Sequence, residues 1–143
     1  MNKPISAIAA ISFYVLLIIY FTGCGANKET YTLVDGEFSA FVSEFNLLHG
    51  NQNYNVIIQF GNRTDVAGTC ETMVNGQKVI NISRGNWDSY CIEQQRGIIF
   101  HELGHCVLDR AHTTNIMSYM YDTVRPCGFY MTNIPALDNE LFN

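Results

Sequence analysis

Ile98-Ile99-Phe100-His101-Glu102-Leu103-Gly104-His105-Cys106-Val107-Leu108 is an apolar run with helical periodicity, broken by two histidines four residues apart. On an α-helix, residues four apart project from one face. The imidazoles of His101 and His105 are therefore placed to bind one metal ion, and Glu102 is placed to reach a water on it. A start signal stands upstream: Asp88 or Ser89 as N-cap, with Glu93 in the first turn. Ile92, Ile99, Phe100, Leu103 and Val107 fall on one flank and suit a core, while Ile98, His101, Glu102 and His105 fall on another. Gly104 costs the helix about 1 kcal/mol relative to alanine, and its bare Cα lets another segment approach closely.

A metal with one open position needs a third protein ligand. His112, Asp109 and Glu140 are the candidates. His112 offers an imidazole just past the expected helix end, where a chain reversal brings it under the metal. Asp109 shares the metal face only if the helix runs on. Glu140 would complete a His-His-Glu set from near the C-terminus. His49 ends an earlier helix and reads as a solvated cation there.

The longer stretch His101-Glu102-Leu103-Gly104-His105-Cys106-Val107-Leu108-Asp109-Arg110-Ala111-His112, followed by Ile116-Met117-Ser118-Tyr119, resembles the metzincin zinc peptidases. The opening HELGH is similar to the matrixin helix, and Ile-Met-Ser-Tyr to the methionine turn of serralysins and astacins. The match covers about 20 residues. Two departures stand out: Leu108 replaces the usual glycine, and the third histidine comes one residue late. Asp109 is able to replace that glycine at the helix end, since Asp tolerates the left-handed region. The resemblance implies a zinc endopeptidase. His101, His105 and His112 would be ligands, Glu102 the general base, Met117 the methionine of the turn, and Tyr119 (with Tyr121 as second choice) a contact to zinc or the oxyanion. In such a site zinc lowers the pKa of its bound water, Glu102 accepts the proton, and the metal stabilises the tetrahedral intermediate. Val79 to Ser83 would offer a strand to an extended protein or peptide substrate. The alternative is a non-catalytic, zinc-stabilised surface lipoprotein or partner-binding module.

Working further outward, Asp35 to Leu48 carries Phe38, Phe41, Val42, Phe45 and Leu48 at helical spacing, with Gly50 as a stop. Tyr54 to Phe60 is a β-rich strand. Val66–Val74 and Lys78–Ser83 flank Asn75-Gly76, a strong hairpin signal. Trp87 reads as a packing anchor. After His112 periodic runs are few until Pro135, which is able to open a short helix over 136–142. The expected fold is α+β: a small zincin-like domain with a short twisted sheet packed on an N-terminal helix and the HExxH helix. Its C-terminal part, with the methionine turn, is expected to be irregular.

The N-terminus points to export. Ile5 to Phe21 is almost continuously apolar after Lys3, and Phe21-Thr22-Gly23-Cys24 resembles a bacterial lipobox. That resemblance implies a signal peptide over 1–23, a lipid on Cys24, a tether over 24–32 and a metallopeptidase domain over 33–143. The chain is then an exported, membrane-anchored lipoprotein on the periplasmic or cell-surface side. The same apolar run is also just long enough to span a bilayer uncleaved. The remaining cysteines, Cys70, Cys91, Cys106 and Cys127, are an even number in a small exported domain and suggest two disulfides. Cys91 and Cys106 would lie about 22 Å apart along one helix, which leaves 70–91 with 106–127, or 70–106 with 91–127. A net charge of −5, with no basic patch, argues against nucleic acid as a partner. The expected state is a monomer.

Overall fold

The computed structural model describes residues 33–52 and 54–143. The expected signal peptide, lipidated Cys24 and tether therefore lie outside the described residues. Among the described residues no helix is long and apolar enough to cross a membrane.

Strand β1 (Leu33–Val34) leads through a 3-10 turn (Gly36–Phe38) into helix α1 (Ser39–Leu48). Asp35 caps the turn by accepting from the Glu37 amide at 3.2 Å. The helix stops where the spacing predicts, at Gly50 (φ +80°), where a side chain would be strained. Strands β2 (Val56–Gly61), β3 (Gly68–Thr72) and β4 (Lys78–Ser83) follow. The sheet order is β1-β2-β4-β3, with β1 and β4 parallel to β2 and β3 antiparallel to β4. The hairpin forms at Asn75-Gly76, with Gly76 at φ +81° and its amide donating to Met73 O. Because β4 sits inside the sheet, both its edges are used. The outer strand on that side is β3, so the expectation that Val79–Ser83 offers a free edge is corrected.

The sheet is two-faced. Val56 and Ile58 of β2 and Ile80 and Ile82 of β4 are buried beneath the helices. On the opposite face Gln59 donates to Asn81 at 3.0 Å. Helix α2 (Arg84–Ser89) is a separate short element that seats Trp87 among Phe38, Phe41 and Phe60. Ser83 caps it through the Asn86 amide. Helix α3 (Ile92–Leu108) therefore begins two or three residues later than its sequence signals suggest. Its cap is Cys91, whose amide donates to Gln94 Oε1 at 3.2 Å. This shift leaves Ile92 58% exposed, while Ile98, expected on the polar flank, is buried.

The C-terminal part is not irregular. Helix α4 (Cys127–Phe142) spans 16 residues, and Pro135 lies inside it rather than opening it. Leu137 and Leu141 of α4 enter the core, and Leu141 Cδ1 would stand 3.4 Å from a Cβ at Gly104. The expected zincin-like architecture is thus corrected to a small α+β domain, with a mixed sheet and four α-helices among the described residues. Two disulfides fasten it: Cys70–Cys106 joins β3 to α3, and Cys91–Cys127 joins the starts of α3 and α4.

Candidate metal centre

The last two turns of α3 carry His101 and His105, and the chain after the helix brings back His112. The reversal is made at Asp109, which adopts the left-handed conformation (φ 51°, ψ 31°). The Arg110 amide then donates to Gly104 O at 3.0 Å, and Lys78 Nζ holds the Asp109 carboxylate at 2.9 Å. Asp109 is not among the residues that converge on the histidine cluster. Glu140, the other alternative, is paired with Arg110 at 3.0 Å.

The three Nε2 atoms converge. His101 and His105 are 3.1 Å apart, His101 and His112 3.1 Å, and His105 and His112 3.0 Å. Together they form a cluster able to coordinate a metal ion. The remaining ring nitrogens face acceptors. His101 Nδ1 lies 2.6 Å from Tyr119 O, His105 Nδ1 2.7 Å from Arg110 O, and His112 Nδ1 3.4 Å from Asp122 Oδ1. A ring nitrogen that donates to a carbonyl leaves the other as a bare lone pair. Converging lone pairs repel unless a cation lies between them. Tetrahedral metal–nitrogen bonds of 2.0–2.1 Å place ligand nitrogens about 3.3 Å apart, close to the spacing found. Burial lowers the His101 pKa to about 4, with the neighbouring imidazoles adding to the shift, and burial lowers that of His105 as well. Both rings are therefore neutral, as ligands must be, at ordinary pH.

Glu102 projects beside this cluster but is not one of its members. It is 5% exposed and lies against Gly68, where a Cβ would stand 2.7 Å from Oε1. No hydrogen-bond partner faces its carboxyl among the described residues, and desolvation raises its pKa to about 7. In the metal-free protein this carboxyl favours folding most when protonated. Its stabilising contribution is full below the ordinary value of 4.5 and is lost as pH rises through 7. His101 works in the opposite sense: its contribution is full above 6.5 and is lost as pH falls toward 4. We expect Glu102→Gln, measured in chelator, to match wild type near pH 4.5 and to exceed it by about 2–3 kcal/mol at pH 8. Urea titrations across that range check this, and a pH-independent difference would disprove it.

The residues expected from the metzincin resemblance are not assembled as it requires. The Tyr119 hydroxyl points away from the histidines into the core. There it donates to Asp138 Oδ1 at 3.1 Å and accepts from Arg96, and burial raises its pKa. Tyr119 faces His101 with its backbone carbonyl. Met117 is half-buried in a turn where its amide donates to Asn115 Oδ1. The methionine beneath α3 is Met120, whose Sδ would be 2.5 Å from a Cβ at Gly104. Tyr121 lines a cleft of about 710 Å³ beside the histidines, together with Tyr130, Asp122 and the segment Thr64–Cys70. His49 caps α1 and contacts the Tyr54 hydroxyl, away from the cluster.

No family model, curated protein or solved structure matches the chain. The metzincin assignment, and with it the reading as a zinc endopeptidase, a hydrolase of the membrane-bound metalloprotease type, is corrected. The described residues assemble a three-histidine cluster able to hold a metal ion, without the tyrosine and methionine geometry of that catalytic constellation. Sequence reasoning missed Arg96, Asp138 and Arg110. Arg96 follows Glu93, Gln94 and Gln95 in the first turns of α3, a polar setting that gives no sequence sign of its burial.

Proposed function

We propose that this chain is a metal-binding domain in which His101, His105 and His112 hold a zinc ion that stabilises the fold, exported and displayed at a membrane surface. The observation that carries the reading is the convergence of three Nε2 atoms within 3.0–3.1 Å. Three neutral imidazoles suit zinc, and their partners are backbone carbonyls and a carboxylate of the kind that orient zinc-bound histidines. The metal fastens the loop carrying exposed His112 to helix α3, and its open side faces the cleft, where a protein or peptide partner is able to dock. Two disulfides in so small a domain support export. A lipid on Cys24, with its membrane tether, completes this proposal.

The test is metal analysis and thermal unfolding of the purified chain. We expect one zinc per chain, and a melting temperature that falls on chelation and recovers with added zinc. At free zinc 100-fold above Kd the gain is about 2.7 kcal/mol. Absence of bound metal, or identical melting with and without it, would refute the reading. Metal-dependent cleavage of a peptide library would replace the holding role with a catalytic one.

A further inference from the structure

The backbone carbonyls that orient His101 and His105 belong to residues whose side chains are both anchored on one helix. Tyr119 O faces His101 Nδ1, and the Tyr119 hydroxyl donates to Asp138 of α4. Arg110 O faces His105 Nδ1, and Arg110 Nη2 donates to Glu140 Oε1 at 3.0 Å and Glu140 O at 2.9 Å. Asp138 and Glu140 are two residues apart. Neither touches the histidines.

We propose that α4 is the positioning element of the metal centre, with Asp138 acting on His101 through Tyr119 and Glu140 acting on His105 through Arg110. The inference rests on the metal-binding reading above. Arg96 braces the first arm. Its Nη2 lies 2.9–3.0 Å from both Asp138 oxygens, its Nε donates to Glu44 of α1 at 3.0 Å, and it contacts the Tyr119 hydroxyl. Its guanidinium also stacks 3.9 Å over the Phe100 ring. The second arm crosses the end of α3, where Arg110 follows the left-handed Asp109. Helix α4 is itself fixed at its start by Cys91–Cys127 and near its end by buried Leu137 and Leu141.

The physical argument concerns where a carbonyl sits. A histidine ring turns about its χ angles until Nδ1–H meets an acceptor, and that acceptor sets the direction of Nε2. Tyr119 and Arg110 both lie on connecting chain outside helices and strands, where a carbonyl is held only by what holds its residue. Side-chain anchors on a rigid helix supply that hold. Outer partners of this kind change metal affinity by about 10–100-fold.

The experiment uses the full chain purified in detergent, with zinc affinity measured by chelator competition and the visible spectrum of the cobalt-substituted protein. Asp138→Ala and Glu140→Ala should each weaken zinc binding about 10-fold and shift the cobalt bands. Asp138→Asn and Glu140→Gln should recover part of the loss, because an amide oxygen still accepts. Asn139→Ala, on the exposed side of the same helix, should leave affinity and spectrum unchanged. If the Asp138 and Glu140 variants unfold more easily when metal-free yet bind zinc within twofold of wild type with an unaltered cobalt spectrum, the inference is overturned. A wild-type chain that takes up neither metal overturns the metal-binding reading itself, which is a different result.

Discussion

On the proposed metal-binding reading, His112→Ala should lower zinc affinity by more than about 100-fold, beyond the range seen for losing an outer partner. His101 and His105 sit one helical turn apart on α3 and are brought together by the helix alone. His112 arrives from beyond the left-handed Asp109, and it is the only exposed member of the three. Removing it leaves two imidazoles and no protein group to replace it. Asp109 and Glu140, the other candidates, are paired with Lys78 and Arg110 and stand outside the converging cluster. The metal-free stability should change little, because an exposed side chain is being truncated. Combining the two measurements is decisive. Zinc content by mass spectrometry should fall while the chelator-treated melting curve stays within about 0.5 kcal/mol of wild type. Retention of full zinc by the variant would show that His112 is not a ligand.

The parts of this molecule that were legible in its sequence are those fixed by local spacing. Phe38, Phe41 and Phe45 recur at helical intervals, and they pack where that pattern directs. Asn75-Gly76 makes its hairpin because Gly76 alone there accepts a positive φ without strain. Two histidines four apart share a helix face for the same geometric reason. What failed was of longer range. The sequence does not reveal that β2 lies beside β4 in parallel, since that pairing depends on the chain crossing over to β3 at the outer edge. Helix α4 was hidden because Pro135 reads as a beginning. Its real start is fixed by a disulfide and by aromatic contacts between Tyr119 and Tyr130. The Met-x-Tyr resemblance misled because a short motif specifies residue types and not which way they turn. Here the Arg96–Asp138 pair draws the Tyr119 hydroxyl inward, and Met120 takes the place under Gly104.

Cys70→Ala with Cys106→Ala should lower the unfolding free energy by about 4 kcal/mol. The bridge joins residues 36 apart in sequence, and loop-closure entropy for that length gives this value at 25 °C. The loss is large against the roughly 5–15 kcal/mol that hold a domain of this size together. Its location adds to the effect. Cys106 is 1% exposed and directly follows His105, so truncation also removes core contact beside a ligand. Cys70 lies on β3, the strand whose Gly68 packs against Glu102. Freed from the bridge, β3 keeps its ladder with β4 but loses its covalent hold on α3. A metal on His101, His105 and His112 should then compensate in part, since it would fasten the same end of α3 to the chain beyond it. Saturation 100-fold above Kd restores about 2.7 kcal/mol, provided the unfolded chain does not bind zinc. Urea unfolding of wild type and double variant, each with chelator and with excess zinc, separates the two contributions. A double variant within 1 kcal/mol of wild type in chelator would show that this bridge does not constrain the unfolded chain as argued. A variant that zinc fails to rescue while still binding it would show that the metal and the bridge do not secure the same element.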